Sequence, residues 1–405
     1  MTREELAGES FFGLGIAPKL LEQIERLGFQ HPTPIQFKAI PVATTGEDVI
    51  GIAQTGTGKT LAFSLPMIQQ ISAKGKMGLV LLPTRELAVQ VEETLHKVGG
   101  PLGLRTAVLI GGTSMGPQLK QLKARPHIIV ATPGRLLDHL EQKSTSLSTV
   151  GVLVLDEADR MLDMGFAPQL KRILALVPKE RQTMLFSATM PEEIASIARQ
   201  YMKQPLRVEV APSGTAAEKV DQEVYIVPKT EKTALLERLL AEHKGTVLVF
   251  SRTKHGAKKI AKSIKNMHHS VAEIHSNRSQ AQRQDALRGF SNGKYRILVA
   301  TDIAARGIDV KDIELVVNFD LPDHSEDYVH RIGRTGRAGK SGKAISFAAP
   351  EQRRDIGNIE RLIRKTLLVK TPSGETVERS VQTQPSRTSS RYPAPFRKPR
   401  RRFTR

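Results

Sequence analysis

The feature that most constrains the fold is a phosphate-binding loop set between a strand-like run and a helical run. It reads Ala53-Gln54-Thr55-Gly56-Thr57-Gly58-Lys59-Thr60 and follows the apolar residues 49–53. Glycines let backbone N–H groups close on phosphate oxygens, the lysine adds a fixed positive charge, and the threonine hydroxyl suits Mg²⁺. A strand, loop and helix in this order predict a parallel sheet covered by helices.

A second motif, Asp156-Glu157-Ala158-Asp159, lies about a hundred residues further on, at the end of the apolar run 152–155. Such a run is typical of a buried parallel strand, which here carries two acids at its carboxyl end. The first acid can hold Mg²⁺ and the second can orient an attacking water. Together the two motifs predict hydrolysis of a nucleoside triphosphate.

Short β-branched runs alternate with helical stretches along the whole chain, which predicts two tandem α/β domains with doubly wound parallel sheets. We assign 1–211 to the first domain, 212–218 to a linker, 219–370 to the second domain and 371–405 to a tail. A helix capped by Thr230 is expected early in the second domain. Strands are predicted at 49–53, 79–82, 106–110, 128–131, 152–155, 183–186, 208–210, 223–227, 247–250, 271–274, 297–300, 315–318 and 344–347.

The net charge of +20 points to a polyanionic partner. Residues 379–405 carry eight arginines, one lysine and no acid, so this segment contributes +9 and the rest of the chain +11. The segment lacks hydrophobic periodicity, and we expect it to be disordered. Interleaved Tyr392, Phe396 and Phe403 favour a nucleic-acid-binding arm over a merely solubilising extension. Isolated basic residues such as Lys258 and Lys259 are interpreted as solvated helix surface.

The chain has no cysteine, which suits a reducing cytoplasm and excludes a thiolate metal site. No apolar run approaches the roughly 18 residues of a membrane span. We therefore expect a cytoplasmic protein that makes no membrane contact.

Many short motifs in one fixed order resemble the DEAD-box RNA helicases over residues 11–350, and within that family the bacterial RhlE-type group. The motifs of the first domain are Gly28-Phe29, Pro32-Thr33-Pro34-Ile35-Gln36, the phosphate loop, Pro83-Thr84-Arg85-Glu86-Leu87-Ala88, Gly111-Gly112, Thr132-Pro133-Gly134-Arg135, the 156–159 box and Ser187-Ala188-Thr189. Those of the second are Val249-Phe250-Ser251-Arg252, Gln280 with Arg283, Ala300-Thr301-Asp302, Arg306-Gly307-Ile308-Asp309 and His330-Arg331-Ile332-Gly333-Arg334-Thr335-Gly336-Arg337.

The resemblance implies two RecA-like domains that close on ATP and Mg²⁺. Gln36 would read adenine through its amide, Phe29 would cover the purine and Phe12 would brace the segment. Lys59 would hold phosphate, Thr60 and Asp156 the metal, and Glu157 the water. Arg334 and Arg337 would act as arginine fingers from the second domain. Asp159, Ser187, Thr189 and His330 would couple the domains, and Gly307 and Asp309 would line the ribose and γ-phosphate side.

The resemblance also implies a sequence-independent RNA track of glycines, hydroxyls and arginines, which suit phosphate and 2′-OH groups. Its expected residues are Thr84, Arg85, Gly112, Thr132, Gly134, Arg135, Arg252, Gln280, Arg283 and Thr301. The expected activity is ATP-dependent opening of short RNA duplexes by a largely monomeric core, with ribosome or RNA-decay assemblies as possible partners. Two alternatives stay open: an RNA clamp or annealing protein with little unwinding, and a DNA-dependent remodelling ATPase.

Overall fold

A computed structural model describes residues 9–54, 56–210, 220–305, 313–336 and 342–376. Thr55, Gly307, Asp309, Arg337, the predicted linker and residues 377–405 of the predicted tail lie outside these ranges. Among the described residues, no helix is long and apolar enough to cross a membrane.

The first domain contains seven strands and nine α-helices in the part of the chain described. The strands are β1 (Val49–Ile52), β2 (Met77–Leu81), β3 (Thr106–Leu109), β4 (Ile128–Ala131), β5 (Val150–Asp156), β6 (Gln182–Ser187) and β7 (Leu206–Glu209). The helices are α1 (Pro18–Arg26), α2 (Pro34–Thr44), α3 (Lys59–Lys74), α4 (Arg85–Gly99), α5 (Met115–Lys123), α6 (Pro133–Glu141), α7 (Ala158–Asp163), α8 (Ala167–Leu176) and α9 (Glu192–Tyr201).

The second domain repeats this architecture. Its strands are β8 (Val220–Ile226), β9 (Val247–Phe250), β10 (Val271–Ile274), β11 (Ile297–Ala300), β12 (Leu315–Asn318), β13 (Gly342–Ala348) and β14 (Leu368–Lys370). Its described helices are α10 (Lys232–Glu242), α11 (Lys254–Asn266), α12 (Gln280–Ser291), α13 (Asp302–Ala305), α14 (Ser325–Ile332) and α15 (Arg353–Ile363).

Both sheets are parallel throughout, with strand orders β3-β4-β2-β5-β6-β1-β7 and β10-β11-β9-β12-β13-β8-β14. Apolar clusters cover both faces of each sheet. This explains why the central strands are continuous apolar runs rather than alternating ones. The predicted fold class, tandem doubly wound α/β domains, is confirmed.

The strand order places the functional motifs together at the carboxyl ends of the strands in each sheet. β5, β6 and β1 are neighbours, so the acidic motif, Ser187 and the phosphate loop lie together at their carboxyl ends. β3, β4 and β2 form the other half of that edge, and Gly112, Thr132 and Thr84 follow them. In the second sheet Gln280, Thr301 and Arg252 likewise follow the neighbours β10, β11 and β9.

Three details differ from expectation. β14 was not predicted, because a three-residue strand with exposed Leu368 has no clear apolar pattern. The cap assigned to Thr230 is wrong: α10 begins at Lys232 after Glu231, and no side chain caps it. Residues 371–376, assigned to the tail, form a turn in which the Thr371 N–H donates to the Glu375 carbonyl at 2.9 Å, and Thr376 bridges to Lys370.

Candidate ATP site and RNA interface

The phosphate loop bends through two glycines at positive φ, Gly56 at 85° and Gly58 at 92°. Gly58 also approaches the side chain of Gln36 so closely that a Cβ there would lie 2.4 Å from Gln36 Nε2. Thr57 Oγ1 donates to the Gln54 carbonyl at 2.7 Å, and the Ala53 N–H donates to the Ser187 carbonyl at 2.9 Å. The loop is thus held to the end of the neighbouring strand β6.

Lys59 supplies the strongest sign that the loop suits an anion. Its side chain is buried, and Nζ has no hydrogen-bond partner among the described residues. The nearest carboxylate oxygen, Asp156 Oδ1, is 4.0 Å away. A buried ammonium left without an acceptor is costly, so the loop fits a phosphate group.

Asp156 and Glu157 lie side by side at the end of β5 but occupy different environments. Burial raises the pKa of Asp156 to about 6, against the lowering effect of the Lys59 charge. Glu157 adopts a left-handed conformation with φ of 51° and pairs with buried Arg160 at 2.6 Å. The turn therefore directs the two carboxylates to different partners.

Asp159 joins the acidic motif to the end of β6. Its Oδ2 accepts hydrogen bonds from the Ala188 and Thr189 N–H groups and from Thr189 Oγ1, at 2.9–3.1 Å. Its own N–H donates to Ser187 Oγ at 3.3 Å. Ser187 and Thr189 thus both contact Asp159, while their role in coupling the domains stays a prediction.

The adenine-reading segment is built around Gln36. Its Oε1 accepts from the Thr33 N–H at 2.8 Å, capping α2, and its Nε2 donates to the Gly58 carbonyl at 3.0 Å. An amide has two donor hydrogens and two acceptor lone pairs, so one of each remains for a base. Phe29 is 40% exposed beside this segment.

The bracing role expected of Phe12 is wrong. Its side chain is 84% exposed, whereas that of the preceding Phe11 is 4% exposed and belongs to the core. The packing that fixes this segment therefore comes from Phe11. The sequence pattern did not distinguish two adjacent phenylalanines, because only the tertiary fold decides which one points inward.

One contact between the two domains lies at the ATP side. His330 and Arg334 from the second domain line a small cavity together with Arg160 of the first. Burial, and then the charge of Arg160, lowers the pKa of His330 to about 3. Arg334 is buried and its Nε donates to the His330 carbonyl at 3.2 Å. Both domains therefore contribute to one site.

Arg331 holds the turn that carries Arg334. Its guanidinium bonds both oxygens of Asp302 at 2.5 and 2.6 Å and donates to the Asp320 carbonyl at 2.6 Å. It also lies over the ring of Phe250, 5.0 Å from the centroid. Arg331 thus ties α14 to the ends of β9, β11 and β12.

A second inter-domain contact lies among the expected RNA residues. Arg283 donates to Glu86 at 2.8 Å, and both side chains are buried. Burial, followed by the charges of Arg283 and Arg135, lowers the pKa of Arg85. Gly112, at φ of 72°, makes room for this cluster, since a Cβ there would lie 1.8 Å from Arg85 Nη1.

The remaining RNA candidates are distributed around this cluster. Thr84 caps α4 and Thr132 is the N-cap residue of α6, while the space around Gly134 is open. Both amide atoms of buried Gln280 lack a hydrogen-bond partner among the described residues, whereas buried polar groups are usually satisfied. Arg252 is exposed and pairs with Asp323 at 3.2 Å, and the Thr301 N–H donates to the Ile274 carbonyl at 3.3 Å.

Sequence reasoning missed Arg160, Glu86 and Arg331 as contributors to the two sites. Arg160 follows the acidic motif directly and stands three residues after Glu157, a spacing at which helical side chains meet. That signal was available. The partners of Glu86 and Arg331 are distant in sequence, so only the structure identifies them.

Comparison with known proteins agrees with the fold. The DEAD/DEAH box helicase profile matches residues 33–197, and the helicase conserved C-terminal domain profile matches 231–339. The ATP-dependent rRNA helicase RRP3 of Debaryomyces hansenii is 44% identical over 367 residues, 90% of this chain and 77% of that protein. The DEAD-box ATP-dependent RNA helicase CshA of Geobacillus kaustophilus is 43% identical over 361 residues, 88% and 77% of the two chains.

Among solved structures, S. cerevisiae Dbp5 bound to RNA and ADP BeF3 superposes with a TM-score of 0.80. The two are 30% identical, and the match covers 90% of this chain and 96% of that one. The fold, the profiles and the relatives agree. This chain belongs to the DEAD-box family and is an ATP-dependent RNA helicase.

Proposed function

We propose that the two domains close on ATP and single-stranded RNA together, and that hydrolysis reopens them and releases the RNA. The observation that carries this proposal is the pair of inter-domain contacts. Arg283 meets Glu86 among the RNA candidates, and His330 meets the Arg160 side of the ATP site. Because both contacts belong to one closed arrangement, ligands at the two sites would favour the same state.

In this proposal Lys59 binds phosphate, Glu157 orients the attacking water and Arg334 stabilises charge on the transferred phosphoryl group. Gln36 selects adenine with its free donor and acceptor, and Phe29 covers the base. Arg337, Gly307, Asp309 and Thr55 keep the roles that the resemblance implies, although they lie outside the described residues.

Thr60 and Asp156 are proposed to hold Mg²⁺. The described residues contain no group of three or more His, Cys, Asp or Glu placed to bind a metal ion. One carboxylate and one hydroxyl nevertheless fit Mg²⁺, which keeps several waters and takes substrate phosphates as its other ligands. When bound, the ion would neutralise charge on the phosphate oxygens.

The RNA track is proposed to contact phosphate and 2′-OH groups without reading bases. Its members are threonines, glycines and arginines, and the unpartnered amide of Gln280 is the best supported contact. A strand bent along this track would be incompatible with a regular duplex, so a short helix would be opened locally.

The finer identity is also a proposal. We place the chain in the RhlE-type group, with a largely monomeric cytoplasmic core. The domain bounds are those predicted from the sequence, except that the second domain extends to at least Thr376. The name of its relative, the ATP-dependent rRNA helicase RRP3, suggests ribosomal RNA as a substrate class. Crosslinking RNA to the protein in cells and sequencing it would test that substrate.

Domain closure tests the proposed mechanism. Fluorophores on the two domains should approach only when RNA and a non-hydrolysable ATP analogue are both present. RNA should stimulate ATP hydrolysis far more than DNA of the same sequence, and a short RNA duplex should separate. Closure with one ligand alone, or equal stimulation by DNA, would refute the proposal.

A further inference from the structure

A groove on the second domain shares no lining residue with either site described above. The helices α11 and α12 form its walls, and β10 lies at its base. β10 is the edge strand of its sheet, with β11 as its neighbour on one side only. The groove therefore exposes one side of a strand.

The hydrogen bonds between β10 and β11 show which backbone groups of β10 point away from the sheet. The carbonyls of Ser270 and Ile274 accept hydrogen bonds from the β11 side, at 3.1 and 3.3 Å. Residues of even number thus face β11, and Val271 and Glu273 present their N–H and carbonyl groups to the groove. Such an edge is a template for an added strand.

The α11 wall is strongly positive. The helix carries Lys254, Lys258, Lys259, Lys262 and Lys265 and no acid. Three of them, Lys258, Lys262 and Lys265, line the groove, and no ion pair joins them to a carboxylate of the described residues. The groove's own Glu273 is already paired with Arg278 and lies 3.7 Å from His275.

The two walls cover opposite faces of the sheet and differ in character. Apolar residues of α11 and of α12 belong to different core clusters. The α12 wall is nearly uncharged where Ala286 and Gln282 line it, and Asp285 is its one acid in the groove. Because side chains of a strand alternate between faces, an added strand would present every second residue to the lysines.

We propose that this groove binds an extended segment of a partner protein in which acidic residues alternate with small apolar ones, by addition of a strand to β10. The acids meet Lys258, Lys262 and Lys265, and the apolar residues pack toward Ala286. RNA is the weaker occupant, since phosphate oxygens accept but do not donate hydrogen bonds and so match only the N–H groups, not the carbonyls, of Val271 and Glu273. The site would let a partner recruit the enzyme while the RNA track stays free.

A ten-residue fluorescein-labelled peptide of alternating Glu and Val tests the proposal on the full chain by fluorescence anisotropy. A Lys and Val peptide serves as the control probe. We expect the acidic peptide to bind and the basic one not to bind, and amide hydrogen exchange of Val271 and Glu273 to slow on binding. Equal binding of both peptides, or no binding of the acidic one, would overturn the proposal.

Two variants localise the site. Replacing Lys258, Lys262 and Lys265 together by Glu should weaken peptide binding at least tenfold. The matched control replaces Lys244, Lys254 and Lys259, exposed lysines of the same domain that do not line the groove, and should change binding less than threefold. Val271→Pro removes an outward N–H without breaking the ladder and should also abolish binding. A triple groove variant that binds peptide normally but needs more RNA for half-maximal ATPase would instead assign the lysines to RNA.

Discussion

At the scale of single residues, Glu157 carries the first prediction. Glu157→Gln keeps the shape of the side chain and an acceptor for Arg160, but it cannot orient a water as a carboxylate does. We expect ATP and RNA to bind, turnover to fall by about 10²-fold or more, and the closed complex to persist. Single-turnover hydrolysis measures the step, and thermal unfolding checks the fold. Hydrolysis near the rate of the unchanged protein would remove this role from Glu157.

The side chain of Gln36 caps α2, bonds the phosphate loop at Gly58 and is expected to select the base. Gln36→Ala should weaken ATP binding and narrow the preference for ATP over GTP by about 1–3 kcal/mol. The capping bond to Thr33 is also lost, at a cost of about 1 kcal/mol in stability.

Gln36→Glu is the informative control, because it keeps the acceptor for Thr33 but removes the donor to Gly58. Equilibrium binding of both nucleotides to each variant separates capping from base reading. An unchanged ratio of ATP to GTP affinity in Gln36→Ala would place Gln36 outside the adenine pocket.

At the scale of elements, α4 and α12 meet through Glu86 and Arg283. Glu86→Gln should leave Arg283 buried without its counter-charge and cost about 3 kcal/mol, or about a hundredfold in affinity for RNA with an ATP analogue. Glu86 is acidic and unsuited to phosphate, so this variant weakens closure without removing an RNA ligand. Binding of ATP alone should not change.

Exchanging the two charges, with Glu86→Arg and Arg283→Glu in one protein, provides the matching test. Partial recovery relative to either single change would show direct coupling between the helices. If Glu86→Gln binds RNA normally in the presence of the analogue, the ion pair does not stabilise the closed state.

At the scale of the whole molecule, closure should depend on pH through His330. Its ordinary pKa is 6.5, and burial with the charge of Arg160 lowers the pKa to about 3. The open state therefore gains a proton below pH 6.5 that the closed state excludes. Stabilisation of the closed state is complete above pH 6.5 and is lost as pH falls toward 3.

We expect affinity for RNA with an ATP analogue to fall by about fivefold between pH 6.5 and 5.5. His330→Gln should flatten this dependence. Asp159, Glu157 and Arg334 also act on the ring through their charges, and Asp156, whose pKa burial raises to about 6, titrates in the same range. An identical pH profile in His330→Gln would assign the whole effect to Asp156.

The basic segment 379–405 should strengthen RNA binding rather than take part in ATP hydrolysis. Deleting residues 379–405 removes nine positive charges and no motif. If every charge met a phosphate, the slope of log affinity against log salt would fall by about 6, and about half of that is expected from an arm that engages only some of its charges at once.

ATPase rate against RNA concentration at two salt levels measures the effect. RNA for half-saturation should rise while kcat at saturation is retained. If the full chain and the truncated protein need the same RNA concentration for half-saturation, the segment is only a solubilising extension. If the truncated protein loses kcat, the segment takes part in ATP hydrolysis.

Local chemistry in the sequence determined the fold class, most strand positions and the motifs at the strand ends. Buried parallel strands must be apolar on both faces, and a phosphate loop must follow such a strand, so the pattern of 49–60 and of 152–159 leaves few alternatives. Beyond this, the sequence could not tell buried Phe11 from exposed Phe12.

The tertiary structure decided which distant groups meet. Glu86 pairs with Arg283, Arg331 pairs with Asp302, and His330 lines the same cavity as Arg160, although each pair is separated by many residues along the chain. The tertiary structure also places lysines that the sequence analysis interpreted as solvated surface in one wall of a groove beside the edge strand β10. Sequence patterns report spacing within one element, whereas these contacts follow from the order of strands and from how the two domains pack, which no local pattern encodes.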